Sequence, residues 1–171
     1  GHAVTFAAGL ASQGYKPILA IYSTFLQRAY DQVIHDVALP NLPVIFAIDR
    51  AGIAGPDGPT HQGIFDIAYL SYLPNLILSA PATGIELQNM LWTAFQSNSP
   101  FIIRYPKENI ENEELQEFES LDIGKAEVIE QGKDIVILAL GSMVKIAKEA
   151  SQELKKKRIK STVVNIRFIK P

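Results

Sequence analysis

Cysteine is absent from the 171 residues. That excludes a disulfide framework, a thiolate zinc site and a cysteine nucleophile. No apolar run approaches the roughly 18 residues a membrane span needs. A leader that runs from basic to apolar to small residues is also missing. Neither sign of charge is in excess, with 16 Lys and Arg against 18 Asp and Glu for a net of -2. Such a balance argues against a nucleic-acid or membrane-surface binder that works by bulk charge. G-x-x-x-x-G-K-[ST] and G-x-G-x-x-G do not occur, so neither nucleotide loop is supported. No G-x-S-x-G elbow appears, and no His, Asp or Glu spacing suggests a metal site. The chain starts Gly1-His2-Ala3 without an initiator methionine and stops at Pro171 after a strand-like run. Both ends read as cut from something longer.

Hydrophobic residues make up 47% and charged ones 20%, the composition of an ordinary globular protein. Strand-like apolar runs occur at Ile18–Tyr22, Val44–Ile48, Leu76–Ser79, Phe101–Tyr105, Ile135–Leu140 and Thr162–Phe168. They are rich in Ile, Val and Phe with little alternation, as expected of strands covered on both faces. Helical patterns lie between them. Leu26, Ala29, Tyr30, Val33, Ile34, Val37 and Ala38 trace one apolar stripe at helical spacing. Thr83-Gly84-Ile85-Glu86 is a capping-box pattern that opens a helix through about Gln96. A third helix spans Met143 to Arg158, its lysine-rich end suited to the negative end of the helix dipole. Strands alternating with helices predict an α/β fold with a mostly parallel sheet flanked by helices.

Composition shifts between Lys107 and Leu121, where Glu111–Glu117 is acidic and lacks a strong apolar period. It reads as a solvated connector. Residues 1–106 form one expected domain, 107–121 the connector, and 122–171 a partial second α/β unit. Lys125–Glu130 reads as a hairpin-like approach to that unit. Roughly 50 residues are too few to bury a self-sufficient core comfortably, so a truncated unit, or one completed by a neighbour, is expected.

Parallel strands end on one edge, where ligands bind in α/β sheets. The strand ending at Tyr22 leads to Phe25, Arg28 and Asp31, and the strand ending near Ile48 leads to Asp49-Arg50 and a loop with Asp57 and His61. Phe25 is core filler or a flat wall for a ring. Arg50 and Arg104 each end an apolar strand, where a guanidinium fork suits a phosphate or a structural ion pair with Asp49 or a loop carboxylate. Asp57 and His61 share a Gly/Pro-rich loop. Histidine there can exchange protons near neutral pH; the alternative is a turn stabilised by an Asp side chain. His35 stands one helical turn after Asp31, which reads as a local surface contact. Lys155-Lys156-Lys157-Arg158 reads as a solvated helix end.

The segment His2–Ala11, the runs Tyr22-Ser23-Thr24-Phe25-Leu26-Gln27-Arg28-Ala29-Tyr30-Asp31-Gln32 and Ala47-Ile48-Asp49-Arg50-Ala51-Gly52, the loop Asp57-Gly58-Pro59-Thr60-His61-Gln62-Gly63 and the end Arg104-Tyr105-Pro106 resemble the 1-deoxy-D-xylulose-5-phosphate synthase family. The likeness covers the whole chain. The Asp-Gly-x-Thr-His-Gln element is shared among transketolase-like enzymes, whereas the Tyr22–Gln32 run is far more specific. The resemblance implies the pyrimidine-binding domain of a thiamine-diphosphate enzyme and the start of its C-terminal domain. It implies a transferase that decarboxylates pyruvate and joins the two-carbon unit to glyceraldehyde 3-phosphate, feeding isoprenoid, thiamine and pyridoxal phosphate synthesis. Phe25 and Arg28 would bind the cofactor. Tyr22, Arg50, Asp57, His61 and Arg104 would hold the phosphorylated acceptor, with His61 and Asp57 as catalytic groups. A homodimer in the cytoplasm is implied, or in the plastid for a plant-type source, with no nucleic-acid or membrane partner.

In the same resemblance, the glutamate that activates the cofactor falls immediately before residue 1. The diphosphate and Mg2+ elements belong to a separate N-terminal domain. The stretch alone is therefore expected to be inactive. Lys107-Glu108 stands where the family commonly has Arg-Gly, although lysine still supplies a point charge. Rival readings are a transketolase, the beta subunit of a 2-oxo acid dehydrogenase, and a non-catalytic assembly module.

Overall fold

The computed structural model describes residues 1–110 and 116–171. Helix α1 (His2–Ser12) precedes β1 (Ile18–Tyr22) and the short α2 (Ser23–Leu26) and α3 (Tyr30–Gln32). Then come β2 (Ile45–Asp49), α4 (Asp66–Leu70), β3 (Ile77–Ser79), α5 (Gly84–Gln96) and β4 (Phe101–Arg104). The remainder is β5 (Glu127–Glu130), β6 (Ile135–Ala139), α6 (Met143–Lys156), β7 (Ser161–Asn165) and β8 (Phe168–Lys170). The first sheet has the order β1-β2-β4-β3-β8, parallel except for β8, which runs antiparallel to β3. A second sheet has the order β5-β7-β6. No helix among the described residues is long and apolar enough to cross a membrane.

Both faces of the main sheet are buried, which explains the unbroken apolar runs. Phe46, Ile48, Leu78 and Ile102 point to α1 and the 23–38 segment. Ile45, Ile77, Phe101 and Ile103 point to Met90 and Ala94 of α5. The helical stripe is buried as its spacing requires: Leu26, Ala29, Val33, Val37 and Ala38 are each at most 1% exposed. Its backbone is not one α-helix, however. A 3-10 turn at Gln27–Ala29 and a π-helical stretch at Val33–Ala38 interrupt it. A side-chain stripe does not specify whether each N–H reaches back three, four or five residues, so this break was not visible in the sequence. His35 contacts the neighbouring Asp36 at 3.4 Å rather than the expected Asp31.

The Thr83 hydroxyl caps α5 by accepting from the Glu86 N–H at 3.1 Å. α5 ends at Gln96 as its pattern predicts. α6 stops at Lys156, two residues short of the predicted end. Two expectations about the second unit need correction. The run Thr162–Phe168 is two strands, β7 and β8, placed in different sheets. Arg167, at φ 59°, turns the chain between them. Lys125–Glu130 makes no hairpin with its sequence neighbour; β5 lies antiparallel to β7. The Lys160 carbonyl accepts from Lys133 and Asp134 N–H, seating the intervening turn beside β7.

Residues 111–115 of the acidic connector lie outside the described residues. The part after them is strapped along α5. Glu119 N–H donates to Asn89 Oδ1 at 3.1 Å and Leu121 N–H to Thr93 Oγ1 at 2.8 Å. Phe118 stacks on Trp92 with centroids 5.3 Å apart. Polar side chains on a helix supply partners for a backbone that has no ladder of its own.

Candidate active site

Because β1 and β2 are parallel with Tyr22 opposite Asp49, their ends open at one level. The Arg50 guanidinium lies 3.9 Å from the Tyr22 ring centroid. Tyr22 stacks on Phe25 at 5.1 Å with an interplanar angle of 6°. Phe25 in turn meets His61 edge-on at 5.4 Å and 78°. Arg50, Tyr22, Phe25 and His61 thus form one column, each contact worth about 0.5–1.5 kcal/mol. One face of Phe25 is used by Tyr22, yet the side chain remains 46% exposed.

Arg50 is a non-glycine residue at φ 55°, a conformation that persists only where its surroundings over-determine it. Here Asp49 Oδ1 accepts from the Arg50 N–H at 2.6 Å, and Ala51 N–H donates to the Tyr105 carbonyl at 3.0 Å. The guanidinium bonds Asp49 through Nη1 and Asp57 Oδ2 through Nε, the latter at 3.0 Å. Lys107 Nζ donates to the other Asp57 oxygen at 2.7 Å. The Lys107 bond first, then the Arg50 bond, hold the Asp57 carboxyl below the usual carboxylate range. A depressed folded value means that the clasp is fully present above the ordinary Asp pKa of about 3.9 and is lost as pH falls through the lower folded value. The Asp57 carboxyl carbon, followed by NMR, is expected to titrate below 3.9, and Lys107→Met should move that midpoint upward; an Asp57 midpoint unchanged by Lys107→Met would refute the clasp.

Arg104 is placed differently. Its Nε donates to Asp66 Oδ2 at 2.9 Å and its Nη2 reaches Oδ1 at 3.4 Å, with the Asp66 side chain 1% exposed. Both arginines at strand ends are therefore engaged by carboxylates, and among the described residues no hydrogen bond or ion pair joins Arg104 to the Arg50 column.

Beside the column lies a cavity of about 330 Å³ lined by Thr24, Phe25, Gln27, Arg28, Thr60 and His61. It joins three of the residues singled out from sequence, Phe25, Arg28 and His61, whereas Tyr22, Arg50 and Asp57 are not among its lining. Thr60 Oγ1 lies 3.0 Å from His61 Nδ1. With the hydroxyl donating, Nδ1 accepts and Nε2 carries the proton. The Thr24 hydroxyl is buried with no partner among the described residues, a group that calls for a ligand or water. A flat exposed aromatic face, an arginine and hydroxyls around a small cavity fit an aminopyrimidine ring. No group of three or more His, Asp or Glu suited to a metal exists among the described residues. Thr24, Thr60, Gln62 and Asp66 were not picked out as site residues from sequence. Adjacency to Phe25 and His61 was the available signal for Thr24, Thr60 and Gln62; Asp66 gave none.

Residues 1–113 match the transketolase pyrimidine-binding domain, and residues 124–171 the transketolase C-terminal domain. The protein named 1-deoxy-D-xylulose-5-phosphate synthase of Dictyoglomus turgidum is 56% identical over 171 residues, 99% of this chain and 28% of its own length. The synthase of Nitrosomonas europaea is 54% identical over 99% of this chain and 27% of its own length. The chain thus spans little more than a quarter of the relatives it matches. Among solved structures, a split-gene transketolase described as an inactive beta4 tetramer has a TM-score of 0.81 at 29% identity, covering 96% of this chain and 52% of that one. The Pichia stipitis transketolase bound to sedoheptulose-7-phosphate has a TM-score of 0.75 at 28% identity, covering 91% and 23%.

Proposed function

This chain belongs to the transketolase family, and from that membership we propose that it forms part of a 1-deoxy-D-xylulose-5-phosphate synthase. The reaction breaks the carboxyl C–C bond of pyruvate, releases CO2, and forms a new C–C bond to the aldehyde carbon of glyceraldehyde 3-phosphate. One proton is consumed, and 1-deoxy-D-xylulose 5-phosphate is the product. The observation that carries this reading is the Arg50–Tyr22–Phe25–His61 column beside a ring-sized cavity. Relatives at 53–56% identity bearing the synthase name support it.

Thiamine diphosphate, when bound, supplies the ring that stabilises the carbanion left by decarboxylation. In this reading Phe25 offers its open face to the pyrimidine, and Arg28 flanks it at the cavity wall. The Arg50 and Lys107 cations, with Tyr22 beneath Arg50, draw the acceptor's phosphate. The same reading keeps Arg104 as a further ligand for that phosphate, although its guanidinium is here paired with Asp66. His61 Nε2–H donates to the acceptor's aldehyde oxygen as charge develops there. Asp57 accepts from a substrate hydroxyl while Arg50 and Lys107 keep it ionised. The same reading gives the working enzyme magnesium for the diphosphate, held on a separate domain, and makes it a cytoplasmic homodimer.

The test is CO2 release from pyruvate by the full-length protein with thiamine diphosphate and magnesium. Release stimulated by glyceraldehyde 3-phosphate, with a pentulose phosphate product, is expected. Ketol transfer between sugars without pyruvate consumption would replace this reading with that of a transketolase.

A further inference from the structure

The segment 54–61 has no ladder to organise it. It consists of two 3-10 turns, Gly55–Asp57 and Pro59–His61, joined by Gly58 at φ 87°, with Gly55 at φ 64°. Glycines at such angles leave a free chain many alternatives. The base of the loop is closed by reciprocal backbone bonds between Gly52 and Gly63, at 2.6 and 2.7 Å. Inside it, one side chain does most of the tying. Gln62 Oε1 accepts from the Ala54 N–H at 2.7 Å, and Nε2 donates to the Gly58 carbonyl at 2.8 Å and to that of Gly55 at 3.4 Å. An amide can offer one acceptor and two donors at once, and here all three functions are in use. The stretch it spans contains Asp57, and the residue before it is His61.

We propose that Gln62 is a positioning residue: its amide fixes residues 54–58 so that Asp57 reaches Arg50 and Lys107 while His61 stands against Phe25. This rests on the synthase reading for its kinetic arm but not for its structural one. No carboxylate or alkyl side chain can replace the amide, because none both accepts from an N–H and donates to two carbonyls. Methionine has similar length and volume but neither hydrogen-bonding function.

The test uses Gln62→Ala and Gln62→Met in the full-length protein. Both are expected to raise the KM for the phosphorylated aldehyde about 10- to 100-fold, the scale of effect that a small misplacement produces. CO2 release from pyruvate without the aldehyde should change much less, because Phe25 and Arg28 lie outside the loop. Amide exchange across residues 54–61 should quicken in both variants while α1 and α5 keep their protection. Wild-type KM in Gln62→Met alongside a loss in Gln62→Ala would mean packing only and would overturn the proposal. So would an equal fall in every kinetic constant with matching loss of protection throughout the domain. Should the wild-type protein show no pyruvate chemistry, the synthase reading fails by itself and the exchange experiment decides. Unchanged exchange over 54–61 in both variants would then overturn the role of Gln62.

Discussion

Gly63→Ala is expected to unseat the loop that carries Asp57 and His61, with a loss of about 1–3 kcal/mol in stability from overpacking and of activity by about two orders of magnitude. A Cβ on Gly63 would lie 2.8 Å from Ser23 Cβ and 2.9 Å from Ser23 Oγ, and closer still to the Arg50 carbonyl oxygen. None of these can retreat easily. Ser23 is fully buried at the start of α2. Arg50 is held in its left-handed conformation by Asp49 on one side and by the bond from Ala51 to Tyr105 on the other. The cheaper response is to break the Gly52–Gly63 bridge and let the loop swing out, taking Gln62 and His61 with it. Thermal unfolding should show a fall of about 2–12 °C for a chain of this size, and the His61 ring signals should shift. Gly9→Ala is the control of opposite sign. Gly9 sits in α1 with nothing within 4 Å of an added Cβ, and alanine in a helix is favoured by up to about 1 kcal/mol. A Gly63→Ala protein as stable and active as the wild type would sink the account of the loop base.

How far the sequence could be read depended on whether the deciding contact was local. β1 was legible to within one residue because its apolar run is bounded by Pro17 and by the polar Ser23-Thr24. The start of α5 was legible because Thr83 and Glu86 stand at capping spacing. The site's edge followed from parallel strands, which place Tyr22 and Asp49 side by side. Non-local pairings were not legible. Asp66 lies 38 residues from Arg104, and nothing in its neighbourhood marks it as a buried counter-ion. The run from Ser161 to Lys170 intersperses Val163, Val164, Ile166, Phe168 and Ile169 with polar residues along its whole length, so hydrophobicity did not mark where it leaves one sheet for another. The signal there is steric: Arg167 takes φ 59°, an angle that an arginine's composition does not advertise. The strap of 116–121 escaped notice because the Glu117 and Glu119 side chains face water while the Glu119 and Leu121 N–H groups bond α5.

Glu86→Ala is expected to lower stability by about 1–3 kcal/mol, the effect of leaving buried hydrogen-bond donors without their acceptor. Glu86 closes the N-terminus of α5, where Oε2 accepts from the Ala82 N–H at 2.5 Å. The same carboxylate accepts from Asn165 Nδ2 at 3.0 and 3.1 Å and from Arg167 Nε at 2.6 Å. Its side chain is 8% exposed and that of Arg167 21%. Asn165 and Arg167 are the end of β7 and the turn before β8, where the chain passes from the small sheet to the main one. One carboxylate therefore fixes a helix start, a strained arginine and the junction of two sheets. Removing it leaves the Asn165 Nδ2 donors unpaired in a residue 2% exposed and takes one of two carboxylates from Arg167. Unfolding should begin in residues 122–171, so hydrogen exchange in β5, β6 and β7 should quicken before that in β2 and β4. Glu127→Gln is the contrast, because Glu127 bonds the same guanidinium at 2.8 Å from a position 45% exposed. Solvent-screened pairs contribute about 0–1 kcal/mol, so its loss should be small. If Glu86→Ala lost no more than Glu127→Gln, the junction would be held by apolar packing of Phe168 on Phe101. The carboxylate would then be only a helix cap, contributing about 1 kcal/mol.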